Sequence, residues 1–207
     1  MKKYFTIFAL GMMALSTAAF AGTTATNTNT VSPTLQISAT VQSAVQLTLS
    51  TGTAAVTHCA VTPTGGTPDY TMSFGTVDAL GINAGNCNKF APTTPGVSNA
   101  IYWSDYNLNP VFTSQTVSTN TITAQVSTDF AAPNNLFIVR DSANSSTVPA
   151  SAAAFTAMGT ATADTIVTNA ASGSTQTRFI GVAVTPANGA TVTGAKSATV
   201  TFTLTVN

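Results

Sequence analysis

Apolar and polar residues alternate one by one through much of this chain. Leu35, Ile37, Ala39 and Val41 share one side of a run whose other side is Thr34, Gln36, Ser38, Thr40 and Gln42. After a break at Gln42–Ala44, the alternation resumes with Val45, Leu47 and Leu49. Period two over such a length marks a half-buried β-strand. It returns in shorter bursts at Met72 and Phe74, at Ile101, at Ile122, Ala124 and Val126, and at Val200, Phe202, Leu204 and Val206. Leu136–Val139 and Phe179–Val184 are brief continuous apolar runs, and Ile166 stands between them. Turn-forming clusters at 63–66, 83–86, 92–96, 132–135 and 187–189 separate these segments. Short strands punctuated in this way predict an all-β, antiparallel, immunoglobulin-like sandwich. Phe74, Trp103, Phe179, Phe202 and Leu204 are its expected core, with Thr201 and Thr203 on the opposite side of the last strand. Only 148–158 has a composition open to helix, and a loop with a single turn fits it equally well. No repeat of the length used by solenoids or propellers is present.

The start of the chain reads differently. Lys2 and Lys3 precede an apolar stretch from Phe5 to Leu15, and Ala19-Phe20-Ala21 supplies small residues at the positions a signal peptidase reads. The apolar stretch is shorter than the roughly 20 residues that span a bilayer. Residues 1–21 are therefore expected to be a cleaved export signal. Residues 22–30, rich in Thr and Asn and lacking large apolar side chains, are expected to form a flexible tail. The remainder, 31–207, is expected to be one sandwich domain, with 31–42 as its first strand or as a strand donated to a neighbour.

Charge is sparse. Without Lys2 and Lys3, four basic residues remain, Lys89, Arg140, Arg178 and Lys196, against six aspartates and no glutamate. That distribution excludes the clustered positive charge of a nucleic-acid or anionic-membrane footprint. Solubility is left to Thr, Ser, Asn and Gln, of which Thr also favours strands through its branched Cβ. Two readings of so uncharged a surface stand open: an ordinary exported β-protein, or a surface made to lie beside copies of itself. Cys59 and Cys87 are the only cysteines. In an oxidising compartment they are expected to form one disulfide. His58 is the sole histidine and has no carboxylate cluster beside it, so no metal or other cofactor is expected.

Catalytic patterns are missing. The chain has no nucleophile elbow, phosphate loop or calcium loop, and its aspartates are scattered singly, with Asp69, Asp78 and Asp129 at or beside turns. A non-enzymatic role follows as the expectation. One cluster is locally unusual: Tyr102, Trp103, Asp105 and Tyr106 in IYWSDYNLNP. Such residues stack on sugar rings and bond their hydroxyls, which makes a monomeric glycan-binding surface module the alternative function. The same aromatics also suit a sandwich core.

LQISATVQSAVQLTLS, at 35–50, resembles the start of spore coat protein U-like domains, which build chaperone–usher pili of the archaic type. CAVTPT…MSFGTVDAL, from Cys59 to Leu80, is similar to that family's cysteine strand and Phe-Gly-Thr turn, and SATVTFTLTVN resembles its closing strand. Together these pieces cover about a third of the chain. The resemblance implies a sandwich lacking one strand, completed by the N-terminal strand of the next copy, with Leu35, Ile37, Ala39 and Val41 as the inserted side chains. It implies a homopolymeric fibre, pilus or surface layer on the cell exterior, reached through the periplasm with a chaperone and an outer-membrane usher. No nucleic acid and no membrane insertion are implied. From the residues alone, the first strand belongs equally well to its own domain.

Overall fold

The computed structural model describes Gln36, Ser38, Ala39 and residues 44–113, 119–132, 135–186 and 194–207. The chain divides into two units, Met1–Val41 and Gln42–Asn207. In the first, Gln36, Ser38 and Ala39 are exposed and belong to no strand. Period two records how a run fits a sheet, and not which sheet it joins. The expected export signal, the tail at 22–30, and Leu35, Ile37 and Val41 lie outside the described residues.

The second unit is an antiparallel all-β sandwich. Its strands are β1 (Val45–Thr51), β2 (Thr62–Pro63), β3 (Tyr70–Thr71), β4 (Asn88–Phe90), β5 (Ala100–Phe112), β6 (Asn120–Thr128), β7 (Leu136–Asp141), β8 (Phe155–Ala157), β9 (Asp164–Thr168), β10 (Gln176–Val184) and β11 (Thr199–Val206). The larger sheet runs β1-β5-β10-β7-β8, with β4 also on β5, and the smaller runs β11-β6-β9. β2 and β3 pair only with each other. The long strand β5 organises the larger sheet. Along one edge β1 pairs with its second half, Tyr106 to Phe112, while β4 pairs with Ile101 to Trp103. Ser104 and Asp105 are left between them without a strand partner on that edge.

Two apolar layers result. Between the sheets, Tyr106 and Leu108 of β5, Ile180 and Val182 of β10 and Ile138 of β7 meet Ile122, Ala124 and Val126 of β6 and Ile166 of β9. On the far face of the larger sheet, Ile101, Trp103, Val139, Phe179 and Ala183 are covered by Val56, Phe90 and Phe155. Phe90 stacks on Trp103 with ring centroids 5.4 Å apart, and Phe179 meets the same indole edge-on at 5.8 Å. A strand buried on both faces has no polar side to alternate with. That is why the period-two signal, carried through β6 and β11, breaks down in β5 beyond Ile101.

Trp103 and Phe179 are buried as expected, and Thr201 and Thr203 are exposed. Phe74, Phe202 and Leu204 are only half-buried. The alanine-rich segment resolves into one 3₁₀ turn, Ala152–Ala154, whose N-cap Ser151 makes no capping bond, and the chain then enters β8. Without a cap and with strand β7 free to pair, the segment extends.

Cys59 and Cys87 form a disulfide across 28 residues, tying the segment after β1 to the start of β4. Reduction is expected to lower unfolding free energy by roughly 2–5 kcal/mol in urea titrations. Non-reducing peptide mapping should recover the two cysteines in one linked fragment, and a titre of two free thiols would contradict the bond.

Candidate functional site

The residues singled out for sugar contact are core residues. Tyr102, Trp103, Asp105 and Tyr106 are all buried, at 4% exposure or less. The indole and phenol faces are spent on protein contacts, which leaves none for a pyranose. Burial raises the pKa of Tyr106 against the opposing influence of the Arg178 and Arg140 charges, so its phenol stays neutral.

Asp105 has a different role from the one its neighbours suggest. It sits in the gap on the β5 edge, where the chain leaving β1 crosses over. The Ala54 N–H donates to its Oδ2 at 2.8 Å, and His58 Nδ1 lies 2.6 Å from Oδ1. Next to it, Ser104 Oγ accepts from the Cys59 N–H at 2.9 Å. A fully buried carboxylate needs such partners, since leaving it bare costs several kcal/mol. The crossing segment is thus pinned by Asp105, Ser104 and the disulfide within a few residues. Gly52 makes room for it: a Cβ there would lie 2.1 Å from the Asp105 carboxyl carbon. Sequence reading separated His58 from every carboxylate, because the pairing depends on a ladder 47 residues away. The one available hint was Cys59, whose bond to Cys87 brings residue 58 to the strand beside β5. Among the described residues no group of three or more His, Cys, Asp or Glu is placed to hold a metal ion, and no helix is long and apolar enough to cross a membrane.

A second polar knot rigidifies the loop after Phe74. Asp78 Oδ1 accepts the N–H groups of Leu80 (2.8 Å) and Ile82 (3.1 Å), and Oδ2 accepts the Asn83 N–H (2.6 Å) and the Tyr102 hydroxyl (3.1 Å). Lys89 Nζ donates to the carbonyl oxygens of Gly81 (2.7 Å), Ile82 (3.3 Å) and Asn83 (2.8 Å). Partial burial alone would push the Asp78 carboxyl up. The donors from Asn83, Ile82, Leu80 and Tyr102 outweigh it and hold the pKa at about 2.

The two long sides of the sandwich are built differently. On the side where β9 faces β7 and β10, side chains join the sheets. Arg140 NH2 pairs with Asp164 Oδ1 at 2.9 Å, Arg178 Nε donates to the Ile166 carbonyl at 2.9 Å, and Asn144 Nδ2 donates to the Thr165 carbonyl at 3.0 Å. The Arg140 hydrogen bond holds the Asp164 carboxyl below its ordinary value, and burial holds Arg178 below its own. On the opposite side, β1 pairs only with β5 and β11 only with β6. Among the described residues no hydrogen bond joins β1 to β11. Leu47 and Leu49 of β1 and Val200, Phe202 and Leu204 of β11 pack on the core yet stay half-exposed. One strand further in, their ladder partners Leu108, Ala124 and Ile122 are 0% exposed. This side is an apolar seam along which the edges of β1 and β11 lie close together without pairing. Of the four side chains expected to be inserted, only Ala39 is described, and it is exposed.

No family model matches the chain, and no curated protein or solved structure matches it either. What the fold itself defines is the class: an antiparallel β-sandwich with one internal disulfide, its sheets joined by side-chain bonds along one side and, among the described residues, by no hydrogen bond between β1 and β11 along the other.

Two measurements check the knots. Gly52→Ala should destabilise the protein by roughly 1–3 kcal/mol, because the added methyl displaces the Asp105 carboxylate from its donors. Asp78 is more acidic folded than its ordinary value of 3.8, so its contribution is complete above that pH and is lost as pH falls through about 2. An NMR titration should place the Asp78 midpoint near 2, with the Ile82 and Asn83 amide resonances moving in step. A midpoint at 3.8 would mean that the cradle does not form.

Proposed function

We propose that this protein is an exported structural subunit that polymerises by strand addition: the run at 35–41 of one copy enters between β1 and β11 of another. The seam carries the argument. β1 and β11 lie close together there without pairing, and an entering strand parts them into a cleft with unpaired N–H and C=O groups on both sides and a floor of Leu47, Leu49, Phe202 and Leu204. Leu35, Ile37, Ala39 and Val41 supply the matching apolar face, each large side chain adding roughly 1.5–3 kcal/mol of burial. The export signal, the disulfide and the uncharged Thr-rich surface fit a place on the cell exterior. The resemblance to spore coat U-like pilins supports the same reading and brings a periplasmic chaperone and an outer-membrane usher as partners.

Donation to another copy is favoured over insertion into the chain's own cleft by the connection. Ala44 already belongs to the β1–β5 ladder, since Thr113 N–H donates to its carbonyl at 3.0 Å and its own N–H donates to Thr113 Oγ1 at 2.8 Å. Folding 35–41 back beside β1 would leave Gln42-Ser43 as a two-residue hairpin loop. Such loops need positive φ and select Gly, Asn or Asp. Gln-Ser has neither.

Ile37→Asp tests the reading in the full mature chain. The variant is expected to stay folded, to keep its disulfide and to elute as a monomer where the parent forms polymers. A synthetic peptide of residues 30–42 should then fill its cleft, raising the melting temperature by roughly 5–10 °C at about a hundred times its dissociation constant. Polymers that persist in Ile37→Asp, or a peptide that stabilises a Phe202→Asp variant equally well, would refute strand addition at this cleft.

A further inference from the structure

Outside the cleft, the described residues leave six large apolar side chains exposed, and five of them lie at the two ends of the sandwich. Ile82 (76%), Val97 (75%) and Leu80 (49%) are on the loops 78–83 and 91–99, at the end where β5 begins. Val45 (56%) and Val111 (45%) are at the other end, where β1 begins and β5 finishes. We propose that these ends are one interface between successive copies, the Leu80–Ile82–Val97 end of one seating on the Val45–Val111 end of the next. The proposal rests on strand addition as argued above and adds the face that the strand brings together.

Connection length requires close approach. If 35–41 fills one copy, and Ala44 already lies in the next copy's ladder, only Gln42 and Ser43 join the two bodies. Two residues and their flanking bonds reach on the order of 10 Å when fully extended. The end of the donor at which β1 starts must therefore rest against the acceptor.

Strand direction chooses which acceptor end. β11 runs from Thr199, beside Thr128, to Val206, beside Asn120. Asn120 bonds Ala170 through both its side-chain atoms, and the same turn reaches Pro110 and Phe112 through Gly173 and Ser172. Val206 therefore lies at the Val45–Val111 end and Thr199 at the other. Because β1 and β11 run in opposite directions, an inserted strand is antiparallel to one and parallel to the other. Running antiparallel to β1, it would leave at the Val45–Val111 end and set two like ends together, an isologous contact that closes on itself. Running antiparallel to β11, it leaves at the Thr199 end, the end of Leu80, Ile82 and Val97, and this is the direction that lets copies follow one another.

That end is prepared for a partner. Asp78 and Lys89 fix the loop from inside through the bonds given above. Gly81 lies so close to Ala91 and Pro92 that a Cβ there would come within 3.1 Å of Ala91 Cα, which packs the two loops together. Apolar side chains displayed on a rigid loop lose little conformational freedom on contact. Both charged groups of the loop are consumed internally, so the contact brings no unpaired charge together.

The test uses the full mature chain. Ile82→Cys protein is mixed with isotopically labelled Val111→Cys protein, allowed to polymerise, treated with a short bismaleimide and analysed by mass spectrometry. Cross-links from 82 of one chain to 111 of the other are expected. An Ile82→Ser, Val97→Ser variant is expected to bind the 30–42 peptide in its Ile37→Asp form as before, while its copy-to-copy association weakens about tenfold or more. Polymers that form and bind peptide normally but cross-link 111 to 111, or that associate as strongly with both serines, overturn the end-to-end contact and leave strand addition standing. Absence of both polymers and peptide binding overturns the two together.

Discussion

A carboxylate removed from water must be met by donors, and in this fold that demand falls on Asp105. It occupies the point on β5 where neither β1 nor β4 reaches. The chain leaving β1 supplies Ala54 N–H and His58, and in doing so is carried across the edge of the sheet. Crossing there brings Cys59 to the beginning of β4, and the disulfide follows from that placement. Ala54 and Val56 then cover one face of the large sheet, while Val61, Met72 and Phe74 return to pack on the other. One buried side chain thus decides how the connection between β1 and β4 is divided between the two faces. An apolar residue at 105 would bury as well, but it would not specify which backbone passes over it.

The two sides of the sandwich give opposite solutions to the problem of sheet edges. Where β9 ends the small sheet, Arg178 of β10 and Asn144 of the turn after β7 occupy two of its carbonyls, and Arg140 of β7 pairs with its Asp164 carboxylate. β11 has only short Thr hydroxyls on its outward face, and β1 offers Thr and Gln. Neither reaches across. Main-chain groups beside an apolar surface favour a strand as their partner, which is why the proposed donation calls on a segment with alternating pattern and no charge, such as the run at 35–41.

Much of the architecture was legible because alternation is local. β1, β6 and β11 lie where the alternation placed them, β7 and β10 where the continuous apolar runs did, and the disulfide joins the two cysteines expected to pair. What the sequence concealed depended on contacts between distant segments. β5 read as a core strand or as a binding cluster, because burial on both faces erases its alternation and leaves aromatics, Ser, Asp and Asn in succession. Phe202 and Leu204 carry the pattern of core residues, yet no periodicity states whether a strand lies beyond them. His58 looked solitary because its partner is reached only after two ladders and a disulfide are in place. The Asp78 cradle was visible only as an aspartate near a turn; the three amides it gathers require the loop's closed path around Lys89.

The position of β1 also determines how the molecule bears load. Tension applied through Ala44 runs along the axis of β1, whose seven residues pair with β5 from Val45 with Phe112 to Thr51 with Tyr106. Pulled in that direction, the pairs are sheared together and do not open one after another. Beyond Thr51 the chain is held again at Asp105 and at the disulfide, so extension stops at a covalent bond. A filament of such units would resist being drawn out at its best-buried strand, with the force spread over the centre of each sandwich and away from its loops.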